Sequence, residues 1–308
     1  MTVAVFPGQG SQSIGMVSNW GAHEPQAQAV FEQASDVLGY DLWALVSEGD
    51  KHKLDQTHVT QPAMLAADIA AYRIYQDQGG AAPVALAGHS LGEYAALVAA
   101  DALDFADAIR LVARRGTLMQ QAVPEGEGGM AAILGLDDDA VCQVCEQAAN
   151  GAVCEPVNFN APGQVVVAGE RAAVDRACDL AKEQGAKRAL ILPVSVPSHS
   201  SLMKPAAVAL RTEIEACNIR KPAIPVIHNV DAQAHPDPND IVDMLVEQLY
   251  RPVRWVGCVR TAVVLGATAQ LEFGPGKVLT GLVRRIDRKM PAKAVFDEPS
   301  LATVLAEQ

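Results

Sequence analysis

Gly88-His89-Ser90-Leu91-Gly92 is the segment of this chain best suited to covalent chemistry. It follows the apolar run Val84 to Ala87 and leads into a helix-like run from Glu93 to Ala100. A strand, a tight turn carrying G-x-S-x-G and then a helix make a nucleophile elbow, which lifts a serine hydroxyl out of the backbone. The first amides of such a helix can face an oxygen that becomes negative during attack on a carbonyl. The same pentapeptide also suits an ordinary glycine-rich loop, so its flanks carry the reading.

A serine hydroxyl attacks only when a base takes its proton. Four histidines are candidates. His235 sits in a polar, proline-rich loop that suits a solvated residue, and His228 lies at a strand end where a core histidine is common. His199 falls in Val196-Pro197-Ser198-His199-Ser200, at a junction between elements, where catalytic residues collect. His89 adjoins the serine, but neighbours on a sharp turn point apart, which suits packing or substrate lining. Taken singly, each of the four also has a plain structural role.

Two further features are open in the same way. Gly8-Gln9-Gly10-Ser11-Gln12-Ser13 keeps only the first two glycines of a dinucleotide loop. It reads either as a tight turn or as a loop bringing an amide and Gln9 to a substrate. Arg114 and Arg115 lie on a helix whose other face is apolar (Ile109, Leu111, Val112, Leu118). They are a solvated basic edge unless one is buried beside the nucleophile, where it would grip a carboxylate through two parallel hydrogen bonds.

The elements that must position these residues alternate. Strand-like segments fall at Thr2 to Phe6, Val84 to Ala87, Val226 to His228 and Ala269 to Phe273. Helical periodicity covers 26–38, 62–78, 105–122, 204–216, 241–249, 254–265 and 277–285. This order predicts a parallel sheet covered on both faces. Between them the rhythm changes to β-α-β-β-α-β: strands 130–134, 153–158, 164–168 and 188–194, with helices 138–149 and 172–183. That is the order of a ferredoxin-like unit. The expected division is a core of residues 1–126 and 198–308, with a small subdomain at 127–197.

At 308 residues and 50% hydrophobic content, the chain can bury a large core. The net charge of −12 opposes binding to nucleic acid but permits a local anion site. The N-terminus has no basic, apolar leader and no run reaches membrane-spanning length, so a cytoplasmic protein is expected. The six cysteines read as free thiols in such a compartment; Cys142 and Cys145 form a lone C-x-x-C without a histidine nearby, so no metal is expected.

The separate pieces match one family in order. FPGQGSQ (6–12), AGHSLGEY (87–94), RRG (114–116), PVNFNAPGQVVVAG (156–169), PVSVPSH (193–199), QLYRPVRW (248–255) and FGPGKVLTGL (273–282) resemble malonyl-CoA:acyl carrier protein transacylases of bacterial fatty-acid synthesis along the whole length. The resemblance implies an α/β-hydrolase-like core with an inserted ferredoxin-like subdomain and a site in the cleft between them. It implies Ser90 as nucleophile, His199 as base, the amides of Gln9 and Leu91 as oxyanion hole and Arg115 as the malonyl carboxylate's partner. Gln248 would orient His199 through its backbone carbonyl, and His89 would line the substrate. Malonyl-CoA would be substrate, no cofactor would be held tightly, and acyl carrier protein would bring a phosphopantetheine thiol to a monomeric enzyme. An acidic carrier needs a basic docking patch: Arg284, Arg285, Arg288 and Lys289, or Lys187 and Arg188. Related polyketide acyltransferases that prefer malonyl often carry Phe where this chain has Ser198, so broader acyl choice and a hydrolytic fate are the alternatives.

Overall fold

The computed structural model describes residues 1–194 and 196–307; Ser195, within the Pro193–His199 motif, and Gln308 lie outside the described residues. Among the described residues nine strands form two sheets. Five of them, β1 (Thr2–Phe6), β2 (Ala85–Gly88), β7 (Val226–Ile227), β8 (Ala269–Phe273) and β9 (Ala292–Val295), build a parallel sheet in the order β7-β2-β1-β8-β9. The other four, β3 (Gly128–Leu134), β4 (Cys154–Ala161), β5 (Gln164–Glu170) and β6 (Arg188–Ile191), build an antiparallel sheet in the order β4-β5-β3-β6.

Alternation along β1 explains the covered parallel sheet. Ala4 and Phe6 face one core, with Leu86, Phe273 and the helices Glu24–Leu38, Thr57–Asp77 and Phe105–Gln121. Val3 and Val5 face a second core, with Ala87, Ile227 and the helices Trp255–Val264 and Val278–Ile286. A strand buried on both faces needs apolar residues along its length, and Val3 to Phe6 supply them. In the small sheet one face holds the helices Asp138–Ala149 and Arg171–Glu183. Its other face presents Met130, Val157, Val166 and Ala168, with Leu192 and Val194 packed beside them.

Three local departures from the expected elements bear on the site. The second long helix begins at Thr57 rather than at Pro62, and the proline sits inside it. Val59 and Thr60 already donate to the Gln56 carbonyl, so the helix is established before the proline removes a donor. Strand β4 runs on to Ala161, past its expected end at Asn158, and so takes in Asn160. Register shifts at Pro156/Asn158 and Phe159/Ala161 bend it, and bulges of this kind re-aim side chains. Conversely, β6 stops at Ile191 rather than reaching Val194. Among the described residues no helix is long and apolar enough to cross a membrane.

Candidate active site

Ser90 stands between the end of β2 and the helix Gly92–Ala99, at φ 53. A non-glycine residue in this left-handed region is strained and needs surroundings that hold it. The Ser90 amide donates to Asn229 Oδ1 at 2.7 Å, and Asn229 Nδ2 donates to the Gly88 carbonyl at 2.7 Å. One side chain thus clamps both ends of the turn. Gly92 permits the tight approach of helix to sheet, since a Cβ there would stand 2.1 Å from the Phe6 carbonyl oxygen.

His199 reaches the serine from 109 positions away, its Nε2 2.7 Å from Ser90 Oγ. Its Nδ1 lies 2.6 Å from the backbone carbonyl of Gln248. A carbonyl oxygen can only accept, so Nδ1 carries the proton and Nε2 presents a lone pair to the hydroxyl. His199 is buried, and desolvation, reinforced by the Arg115 charge, depresses its pKa to about 3. The ring is therefore a neutral base at ordinary pH.

This depression has a measurable consequence. An unfolded histidine titrates near its ordinary 6.5, whereas His199 in the fold stays neutral down to about 3. Between those values the unfolded state binds the extra proton, so the stabilising contribution is intact above pH 6.5 and is lost as pH falls toward 3. Relative to His199→Gln, the unfolding free energy of the wild type should decline by up to about 1.4 kcal/mol per pH unit across that window. Urea denaturation at several pH values checks this; parallel curves for the two proteins would contradict it.

Arg115 comes from the helix Phe105–Gln121 and is only 1% exposed, whereas its neighbour Arg114 reaches solvent and pairs with Glu213 at 2.7 Å. Gly116 brings that helix against Thr57–Asp77: a Cβ there would lie 2.5 Å from His58 Cα. Arg115 Nη1 donates to Gln61 Oε1 at 2.8 Å, and Nη2 donates to Gln248 Oε1 at 3.1 Å and to Ser90 Oγ at 3.2 Å. The guanidinium stands 5.7 Å from the Tyr94 ring centre, and among the described residues its Nε has no hydrogen-bond partner. Burial lowers the Arg115 pKa from its usual value. Among the described residues no carboxylate forms an ion pair with it. A buried cation held by neutral amide oxygens is poised to bind an anion.

A cavity of about 130 Å³ opens on these groups, lined by Gln9, Leu91, His89, Arg115 and His199 on the core side. Met130, Asn158, Leu192 and Val194 approach it from the small sheet and the segment after β6. His89 Nε2 lies 2.8 Å from Asn160 Oδ1, and its ring rests 5.4 Å from that of Trp255. Gln9 Nε2 donates to Thr57 Oγ1 at 3.4 Å. Among the described residues, neither the Gln9 nor the Leu91 backbone amide donates to a protein acceptor.

The other histidines separate by environment. His228 is buried with Nδ1 2.8 Å from Glu93 Oε1, and His235, expected in solvent, is half-buried and bonded to Asp231 at 2.7 Å. The sequence did not point to Gln61, Glu93, Asn160 or Asn229. Only Asn229 had a visible signal, a polar residue immediately beyond a strand on the same sheet as the elbow.

A serine on such a turn at the end of a parallel strand, within reach of an imidazole, defines the class of α/β-hydrolase-like proteins. Residues 3–295 match the acyl transferase domain family, and the chain belongs to that family. It is 52% identical over 301 residues to the malonyl CoA-acyl carrier protein transacylase of Escherichia coli K12, covering 98% of this chain and 97% of that protein. The Bacillus subtilis protein of the same name is 45% identical over 298 residues, 96% of this chain and 94% of the relative. An acyl carrier protein S-malonyltransferase from Vibrio cholerae superposes with TM-score 0.96 at 54% identity, covering 98% and 99% of the two chains. A malonyl-transacylase solved with a type II polyketide synthase acyl-carrier protein superposes with TM-score 0.98 at 51% identity, over 100% and 99%.

Proposed function

We propose that this chain transfers malonyl from malonyl-CoA to the phosphopantetheine thiol of an acyl carrier protein through a malonyl-Ser90 ester. The observation that carries this reading is the shared position of Ser90 Oγ, 2.7 Å from Nε2 of His199 and 3.2 Å from a buried arginine that has no ion-paired carboxylate among the described residues. His199 Nε2 takes the hydroxyl proton as Oγ attacks the thioester carbonyl. The developing oxyanion is held by the Gln9 and Leu91 amides, each worth about 3–4 kcal/mol by analogy with known oxyanion holes. The imidazolium returns its proton to the departing coenzyme A sulfur. In the second half the carrier's thiol loses its proton to His199 and attacks the ester, and Ser90 regains its hydrogen. Arg115 grips the malonyl carboxylate throughout. Thioester exchange is near thermoneutral, so this reading asks for no tightly held cofactor.

Orientation of His199 by a carbonyl rather than an acid suits an anionic substrate. The Gln248 oxygen fixes the tautomer without setting a negative charge beside the malonyl group. We also propose the division of the chain at 126/127 and 197/198, with the catalytic groups on the core and Met130, Asn158, Leu192 and Val194 closing the cavity from the small unit.

For the carrier, the two basic clusters expected as alternatives are neighbours. Arg188 on β6 lies opposite Leu134, which lies opposite Gln164 on β5, and Arg285 Nη1 donates to Gln164 Oε1 at 2.9 Å. Lys187, Arg188, Arg284, Arg285, Arg288 and Lys289 are all exposed, so a single basic rim is available to an acidic partner.

Incubation of pure protein with malonyl-CoA tests the reading. One malonyl group per chain should persist on the protein by intact mass and move to added holo carrier protein. Rapid release of free malonate without a persisting adduct would favour a hydrolase.

A further inference from the structure

Behind the Ser90 turn lies a second polar cluster that the transfer steps do not use. Its centre is Glu93, fully buried in the first turn of the helix Gly92–Ala99. Oε1 accepts from His228 Nδ1 at 2.8 Å; Oε2 accepts from the Asn229 backbone amide at 2.9 Å and from Gln248 Nε2 at 2.8 Å. All three partners donate, as an acceptor-only carboxylate requires. Each leads to a part of the site. Asn229 clamps Ser90 N and Gly88 O. Gln248 Nε2 also donates to the Ser90 carbonyl at 3.0 Å, its Oε1 accepts from Arg115, and its backbone carbonyl accepts from His199 Nδ1.

We propose that Glu93 is a positioning residue of this site, the buried anion that locks Asn229 and Gln248 and so fixes the Ser90 turn and the orientation of His199. The proposal rests on the Ser90–His199 reading above. In a triad the acid binds the imidazole directly; here it stands one residue further back, with the Gln248 side chain and peptide between. That arrangement keeps its charge off the imidazole and away from a bound carboxylate, while giving both halves of the pair one anchor. A contact with His228 alone would need only Oε1. The two bonds on Oε2 run to the residues that hold the elbow and the base.

Glu93→Gln keeps the shape but places a donor against groups that donate. Single-turnover formation of the malonyl-enzyme, measured per folded molecule, should slow roughly 100-fold, the scale of a misaligned reacting group. kcat and kcat/KM should fall together, because the residue touches no substrate. Gln248→Ala should be slow as well, and the double variant should lose less than the product of the two single losses, since both break one chain of contacts. Multiplicative losses, or a folded Glu93→Gln protein acylating at the wild-type rate, would overturn the proposal. If Glu93→Gln does not fold, Asn229→Ala serves: it removes the clamp and should slow acylation similarly, and wild-type acylation by that variant would equally refute the idea. Ser90→Ala run alongside separates the two levels. Malonyl uptake by Ser90→Ala would sink the nucleophile itself; its silence beside full activity in Glu93→Gln or Asn229→Ala would sink only the positioning role.

Discussion

Ser90→Ala should reduce malonyl transfer to carrier protein by at least about 10⁵-fold and abolish the malonyl adduct, while the protein stays folded. The size follows from what is removed. Without Oγ there is no covalent intermediate, and the remaining oxyanion donors and binding groups give only the residual catalysis seen when a serine nucleophile is deleted. The fold should tolerate the change because the hydroxyl supports little besides the site. It meets His199 at 2.7 Å and Arg115 at 3.2 Å, and the backbone at φ 53 is held by Asn229 rather than by Oγ. Adding His199→Ala to Ser90→Ala should bring almost no further loss, because the pair acts as one unit. Intact mass after malonyl-CoA exposure and a carrier-transfer assay read both outcomes. Transfer within tenfold of wild type by Ser90→Ala would move the chemistry to another residue.

Local pattern carries far in this chain where one element is decided by its own residues. β1 falls where its apolar run lies, β8 where Ala269, Leu271 and Phe273 alternate with polar residues, and the helix Asp138–Ala149 starts where Asp137 caps it, accepting from the Ala140 amide. The β-α-β-β-α-β order also carries over, because the small sheet pairs as β4-β5-β3-β6 around it. What escaped the reading was short or decided from outside. The helices Leu42–Glu48 and Lys51–Leu54 are too short to show a period, although Asp41 and Asp50 cap them. β9 is an edge strand of the parallel sheet, paired with β8 alone, and the terminal helix Glu298–Leu305 announces itself just by the Asp297–Ser300 capping box.

The site divides along the same line. Ser90 is legible because an elbow is a local structure. Arg115 and His199 were legible only through the family likeness, since an arginine on an amphipathic helix and a histidine in a loop have ordinary uses. Glu93 and Gln61 gave no sign at all, and Asn229 only its place just beyond a strand. Ser90 and Asn229 lie 139 positions apart, and no periodicity tells which distant amide will close on a given turn. Their importance exists only in the folded arrangement, where buried polar groups must find one another.

Arg115→Ala is expected to lower kcat/KM for malonyl-CoA by about 10²–10³-fold and to leave the weak use of acetyl-CoA far less affected. Within the protein the guanidinium spends its donors on the amide oxygens of Gln61 and Gln248 and on Ser90 Oγ. A malonyl carboxylate offers an anionic acceptor in a place screened from water, where a charge-assisted pair is at its strongest. An acetyl group offers nothing, so the wild type leaves its buried charge unmatched, a deficit of roughly 3–5 kcal/mol. Each 1.4 kcal/mol is tenfold, so a discrimination of hundreds or more is contained in this one contact. Removing the charge should therefore collapse the malonyl-to-acetyl ratio more than it lowers acetyl turnover. Arg115→Lys should recover only part of the ratio, because an ammonium is a point charge without the planar fork. Competition of the two acyl-CoA substrates for each variant measures the ratio directly. Equal losses for both acyl groups would mean that Arg115 supports the Ser90 geometry alone and that the carboxylate is held elsewhere.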